Sequence, residues 1–340
     1  MRVPVFSIII PCRSMCDFLR ENISYLRKLE FREFEVLIIL DEIESFDFKG
    51  DSRFRILRSG SVGPGQKRNI GAMQARGDIL AFLDDDAYPH PKWLSYAHEV
   101  LSEVDTYALG SPAITPLESP FLETISGRVL ESIFTSAGTM YRHIPMRRKY
   151  IDDYPTVNLF VKRKIFLDIG GFDENFWPGE DTKLCLDMLK KMGRKFLYDP
   201  KPIVYHHRRA LFAPHLKQIS RYGRYRGQFA KTFPETSRRF AYFVPSLFVL
   251  WVLLGPVIAM FLRSFGLIYI VSLWIYVLVL LFEGIRVTRK EGSVKAVLYF
   301  MQGVFLTHFT YGLNFIIGFV RKPQLELRDV DQNTGNYLGG

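Results

Sequence analysis

Cysteine is scarce. The 340 residues hold three, at positions 12, 16 and 185, too few for a disulfide framework in a chain of this size, and no Cys-x-x-Cys pair offers a zinc knuckle. That scarcity places the soluble part in a reducing compartment. Two nucleotide fingerprints are also missing. After Gly65 come Gln66 and Lys67, where the phosphate loop of an ATPase needs Lys and then Ser or Thr. The glycines at 63, 65 and 71 do not keep the dinucleotide-binding spacing. No signal peptide is expected, because the apolar stretch 5–10 is short and runs into Pro11 and Cys12 instead of a small-residue cleavage site. Disorder is excluded by a composition of 48% hydrophobic, 15% aromatic and 24% charged residues.

The net charge of +10 is concentrated. Residues 201–239 carry ten Lys or Arg against one acid, Glu235, so the rest of the chain is close to neutral. Beyond residue 239 the chain turns apolar: 240–262 and 265–282 hold no acidic or basic side chain, and 296–320 holds only His308. Each is long enough to cross a hydrocarbon core, which needs about 20 helical residues. The reading is a transmembrane domain at 240–322 of two to three helices, at about 240–262, 265–283 and 296–320, with a tail at 323–340. Arg263 and Ser264 separate the first two spans, which makes them a hairpin. The next loop carries Arg286, Arg289, Lys290 and Lys295 against Glu291. Basic loops stay in the cytoplasm, so the protein reads as a multi-pass cell-membrane protein with its first 210 residues cytoplasmic. Arg321 and Lys322 keep a re-entrant or tilted third segment open. In 211–239, apolar and aromatic residues recur at 216, 219, 222, 225, 229 and 233 between basic ones, the pattern of a helix lying in the headgroup plane. With a span beginning a few residues later, membrane is the expected partner and nucleic acid is not.

The first 210 residues alternate strand and helix. Apolar runs at 3–10, 34–40, 54–57 and 79–83 are separated by helical patterns at 17–30 and 66–76. Buried strands alternating with helices imply an α/β fold, Rossmann-like, with a mostly parallel sheet and right-handed crossovers. Ligands of such sheets sit beyond the carboxyl ends of the strands. That rule gathers Pro11 and Arg13, Asp41 and Glu42, the 60–65 loop, and Asp84, Asp85 and Asp86 into one mouth. Three adjacent carboxylates either face water as a turn or share a hard cation such as Mg²⁺ or Mn²⁺. The 60–65 loop runs straight into a helix, where backbone N–H groups favour anions. Glu180 and Asp181 open an amphipathic helix bearing Leu184, Met188, Leu189 and Met192. They serve either as a cap or, beside the aromatic wall of Trp177, as a general base. His206, after an expected strand at 202–205, is either a surface residue or a ligand for Mn²⁺.

Taken in order, Phe6-Ser-Ile-Ile-Ile-Pro11, Asp41, Gln66-Lys-Arg68-Asn69-Ile-Gly71, Phe82-Leu-Asp84-Asp-Asp86-Ala with Pro89, Gly170-Gly-Phe-Asp173 and Gly179-Glu-Asp181 resemble glycosyltransferase family 2, the inverting enzymes of GT-A fold. The resemblance covers residues 3–230. It implies that Pro11 and Arg13 line a nucleotide pocket, that Asp41 contacts base or ribose, and that Arg68, with Lys67 beside it, approaches the uracil or phosphate side. It makes Asp84 and Asp86 the ends of a metal-binding Asp-x-Asp motif, with Asp86 the direct ligand and Asp85 on the ribose or sugar. Asp181 becomes the catalytic base and Glu180 its neighbour at the acceptor. Gln218-Ile-Ser-Arg221-Tyr222 resembles the Gln-x-x-Arg-Trp motif of membrane polysaccharide synthases and puts Gln218 and Arg221 at the substrate; Tyr in place of Trp, and so few spans, argue against processive synthesis. The implied function is inverting transfer of one sugar from a UDP- or GDP-sugar to a polyprenyl-linked saccharide, for cell-surface polysaccharide or glycan assembly. One alternative is transfer to polyprenyl phosphate itself, as in dolichyl-phosphate mannose synthases. A lesser one is a non-enzymatic nucleotide-binding membrane protein.

Overall fold

The computed structural model describes residues 3–174, 176 and 178–321. In chain order its elements are β1 (Phe6–Pro11), α1 (Asp17–Leu26), β2 (Phe34–Leu40), β3 (Phe54–Arg58), α2 (Pro64–Gln74), β4 (Ile79–Leu83), β5 (Ala87–Pro89), α3 (Trp93–Glu103), β6 (Ala108–Gly110), β7 (Ala113–Ile114), α4 (Phe121–Glu131), β8 (Lys149–Ile151), β9 (Asn158–Lys162), α5 (Arg163–Asp168), α6 (Glu180–Met192), β10 (Phe196–Tyr198), β11 (Val204–His206), α7 (Ala213–Thr232), α8 (Pro234–Ser237), α9 (Phe240–Phe261), α10 (Arg263–Val287) and α11 (Val294–Val320). Among the described residues they form two units. One holds those up to Ile114 together with Ile144–His206; the other holds Thr115–His143 and those from His207 onward.

In the first unit β1 and β2 are buried along their whole length, as strands covered on both faces must be. The larger sheet runs β3-β2-β1-β4-β9-β6-β10-β8. Its first four strands are parallel, with Phe6 level with both Phe34 and Ile79. Beyond β4 the sheet becomes mixed, because β9 enters antiparallel between β4 and β6. Ile8, Ile10, Ile38 and Leu83 meet Leu19 and Ile23 of α1 and Leu94 and Ala97 of α3 in the core. Burial of such aliphatic side chains, at about 1.5–3 kcal/mol each, is what holds the layers together.

Element ends moved in chemically understandable ways. The first strand starts at Phe6, and Val3 stays exposed. Helix α2 starts at Pro64, where the ring pre-sets φ and the missing N–H costs nothing. It lies close on the sheet because residue 71 is glycine: a Cβ there would come within 2.7 Å of Ile9 Cγ2 and 2.9 Å of Ile39 Cδ1.

In the second unit three helices, Phe240–Phe261, Ser264–Val287 and Val294–Val320, are long and apolar enough to cross a membrane. The break between the first two falls at Leu262, and Trp251 Nε1 donates to Ser272 Oγ across the hairpin at 3.0 Å. Helix α11 is continuous, with a third of its apolar stretch buried. His308, polar within that stretch, reaches Tyr276 Oη at 3.0 Å and the Phe134 carbonyl at 2.9 Å, the internal satisfaction that an apolar medium requires. Glycines bring α7 and α11 together. Backbone atoms of Tyr311 and Phe315 crowd Gly223 and Gly227, and the Arg224 carbonyl crowds Gly318, the small-residue packing of membrane helices. Helix α7 therefore buries Ile219, Gly223, Gly227 and Phe229, while Tyr222 is exposed. The expected tail at 323–340 lies outside the described residues.

Candidate active site

The carboxyl ends of β1, β2 and β4 converge with the N-terminal turn of α2, and the site is assembled by two adjacent basic residues of that helix. Lys67, 1% exposed, donates to the Cys12 carbonyl at 2.5 Å and pairs with Asp41. Arg68, 4% exposed, donates through Nη2 to Asp84 Oδ1 at 2.7 Å and through Nη1 to Glu180 Oε1 at 3.2 Å. Burial opposes the guanidinium charge, but Asp84, Glu180 and Asp181 together hold its pKa above the ordinary value. One buried cation thus ties the end of β4 to the start of α6.

Glu180 is buried, and Gly179 N–H donates to its Oε2 at 3.0 Å. Gly179 holds φ at +111°, a conformation that favours glycine. Burial and then the neighbouring Asp181 raise the Glu180 carboxyl from 4.5 to about 7, against the opposing pull of Arg68. Asp181 is half-buried, its Oδ1 accepting from Thr182 N–H at 2.7 Å. The preceding loop is clipped to α2 by Asn69, whose Nδ2 donates to the Phe172 carbonyl at 2.9 Å and whose Oδ1 accepts from Phe172 N–H at 2.8 Å. Gly171, at φ +77°, leaves room for that amide.

The aspartate triplet divides by environment. Asp84 faces Arg68. Asp85 lies against the thiols, with Cys12 Sγ 2.9 Å and Cys16 Sγ 3.9 Å from its Oδ2. Burial and then Asp86 raise the Asp85 carboxyl, and burial and then Asp85 push the Cys12 thiol up, so the thiol stands as the donor. Asp86 Oδ1 is 3.2 Å from His206 Nε2. The small sheet β5-β11-β7 sets that pair by aligning Ala87 with His206. A carboxylate and an imidazole side by side, with a second carboxylate two residues away, make a donor set chemically compatible with a divalent cation.

Pro11 is buried at the end of β1, and Arg13 is exposed, its carbonyl accepting from Asp41 N–H at 3.1 Å. Trp177 lies outside the described residues. Gln218 and Arg221 belong to α7 in the second unit, where Gln218 Nε2 donates to Tyr222 Oη at 3.0 Å. Sequence reasoning missed Cys12 and Cys16 as members of the mouth. It also missed Asn22, fully buried on α1, which donates to the Asp84 carbonyl at 3.2 Å and holds the triplet's turn. The signal for the cysteines was their position just past a strand end; nothing local pointed to Asn22.

Residues 7–170 match the model of Glycosyl transferase family 2. A pre-mycofactocin glycosyltransferase of Mycobacterium tuberculosis is 28% identical over 64% of this chain and 46% of its own length. A glucosyl-dolichyl phosphate glucuronosyltransferase of Haloferax volcanii is 24% identical over 41% of this chain and 46% of its own. The chain spans about half the length of these curated relatives. Among solved structures, a Pyrobaculum calidifontis mannosyltransferase in complex with GDP-Man and Mn²⁺ has a TM-score of 0.56 at 14% identity, over 94% of this chain and 87% of that one. Residues 7–170 thus match glycosyltransferase family 2 within a GT-A fold, and the apolar helices that follow fit membrane anchoring.

Proposed function

We propose that the protein is a membrane-anchored, inverting glycosyltransferase that moves one sugar from a nucleotide-sugar donor to a polyprenyl-linked saccharide at the cytoplasmic face, for cell-surface polysaccharide or glycan assembly. The observation that carries this reading is the Arg68 bridge between Asp84 and Glu180: it joins a carboxylate set suited to a donor diphosphate to a carboxylate pair suited to an acceptor.

Asp84, Asp86 and His206 would hold the Mg²⁺ or Mn²⁺ ion, which when bound neutralises the charge of the departing nucleoside diphosphate. The chain's own groups do the rest. Pro11, Arg13, Asp41 and Lys67 line the nucleotide side, and Asp85 faces the ribose or sugar. Asp181 takes the proton from an acceptor hydroxyl as it attacks the anomeric carbon on the face opposite the leaving group, which inverts the configuration. Glu180, fixed by Arg68, positions that acceptor. Gln218 and Arg221 are assigned to the substrate on their motif resemblance. The basic loops favour the cytoplasmic side for the catalytic unit, and a neighbour named for a dolichyl phosphate-linked substrate supports a lipid-borne acceptor.

Asp181→Asn tests the assignment. Turnover, followed as label from a panel of UDP- and GDP-sugars entering the lipid extract, should fall by about 10²- to 10⁴-fold, while nucleotide-sugar binding persists. A modest effect would overturn the saccharide acceptor in favour of polyprenyl phosphate, whose oxygen is already ionised and needs no base. Absence of nucleotide release with every donor would overturn the transferase reading itself.

A further inference from the structure

Cys12, Cys16 and Asp85 present Sγ, Sγ and a carboxylate oxygen that all lie within 4.8 Å of one another. The two sulfurs are 4.0 Å apart, and Asp85 Oδ2 is 2.9 and 3.9 Å from them. A tetrahedral zinc site with Zn–S near 2.3 Å and Zn–O near 2.1 Å needs ligand atoms about 3.5–3.8 Å apart. A cation could therefore seat among these three atoms with sub-ångström movement of their side chains. The three are presented by separate, anchored pieces of chain. Cys12 follows β1, and its carbonyl accepts from Lys67. Cys16 caps α1. Asp85 is in the turn after β4, where Asn22 holds the Asp84 carbonyl. Cys12 is buried and Cys16 half-buried, and Asp85 is half-buried beside them.

We propose that Cys12, Cys16 and Asp85 form a binding site for a thiophilic divalent cation, Zn²⁺ by preference, distinct from the Asp84, Asp86 and His206 set. Two thiolates select against Mg²⁺ and Mn²⁺, which prefer oxygen donors. On binding, the two thiol protons pass to solvent, and the dication is met by two thiolates and one carboxylate. The site commits Asp85, the middle acid of the triplet, to the bound cation. Under the transferase reading Asp85 would face the donor, so Zn²⁺ there would act as an inhibitor held by the protein itself. The binding claim does not depend on that reading.

The test uses the full-length protein in detergent, stripped with chelator and titrated with Co²⁺ in the presence of excess Mn²⁺. The expected result is one equivalent of Co²⁺ with a thiolate-to-cobalt charge-transfer absorption, abolished by one equivalent of Zn²⁺. Cys16→Ser should weaken Co²⁺ binding at least tenfold while melting temperature and Mn²⁺ uptake stay at wild-type values. Cys16→Ala gives a second variant at the same half-buried position should the first fail to fold. No charge-transfer band in the wild type, or a band of equal affinity in either variant, would overturn the site. No nucleotide-sugar enters this titration, so its failure is separable from failure of the transferase assignment.

Discussion

Replacing Glu180 by Gln probes the electrostatics on which the active-site reading stands. In the folded protein the Glu180 carboxyl sits at about 7 instead of 4.5, because burial and then Asp181 penalise its charge more than Arg68 relieves it. The folded state therefore keeps a proton that the unfolded chain has released. Stability from this group is fully present below about pH 4.5 and is lost as the pH rises through about 7. At about 1.36 kcal/mol per pH unit, the rise corresponds to roughly 3 kcal/mol. Gln is neutral throughout and escapes that loss. Plotted against pH, the stability difference between Glu180→Gln and wild type should climb by roughly 3 kcal/mol in the variant's favour between about pH 4.5 and pH 8, whatever the constant offset from altered hydrogen bonds. Denaturant titrations of the detergent-solubilised protein at fixed ionic strength measure it. The two neighbours supply controls of opposite sign: Asp181→Asn should move the midpoint of the climb to lower pH, and Arg68→Met to higher pH. Parallel stability curves for wild type and Glu180→Gln across this range would refute the claim that Glu180 is buried against a second carboxylate.

Asp86→Asn should weaken Mn²⁺ uptake, measured calorimetrically in the presence of UDP or GDP, at least tenfold; a variant binding as tightly as wild type would remove Asp86 from the ligand set. Asn69→Ala deletes both hydrogen bonds to Phe172. It should cost about 1–3 kcal/mol and expose the 170–174 loop to limited proteolysis, and an unchanged cleavage pattern would contradict the clip. Gly227→Val places a branched side chain against the backbone of Phe315 and Phe319. It should lower the melting temperature of the detergent-solubilised protein by the equivalent of about 1–3 kcal/mol, and wild-type melting would refute the close α7–α11 contact.

Much of this was legible in one dimension. The apolar runs ending at Pro11, Leu40 and Leu83 announce buried parallel strands, and the residues just beyond them are the ones the sheet gathers at one mouth. Glu180 and Asp181 were placeable at a helix start because the apolar period of α6 begins there. The three long apolar segments needed only length and composition. Other features were hidden because no local pattern encodes them. The sequence is silent on β9 entering antiparallel, since apolar strands look alike in either direction. It is equally silent on Thr115–His143 leaving the first unit for the second.

By itself, then, the chain's order of residues determined which segments become strands, helices and apolar spans, and which side chains stand at strand ends, because those properties depend on periodicity over a few neighbours. Tertiary structure alone decided the partnerships. Arg68 lies 112 residues from Glu180 and Cys12 73 from Asp85, and only folding gives them a common environment. There the low dielectric makes one guanidinium the common partner of two acids, raises Glu180 to about 7, and brings Cys12, Cys16 and Asp85 together as the proposed cation site. Such couplings depend on distance and burial in space, and separation along the chain carries no trace of either.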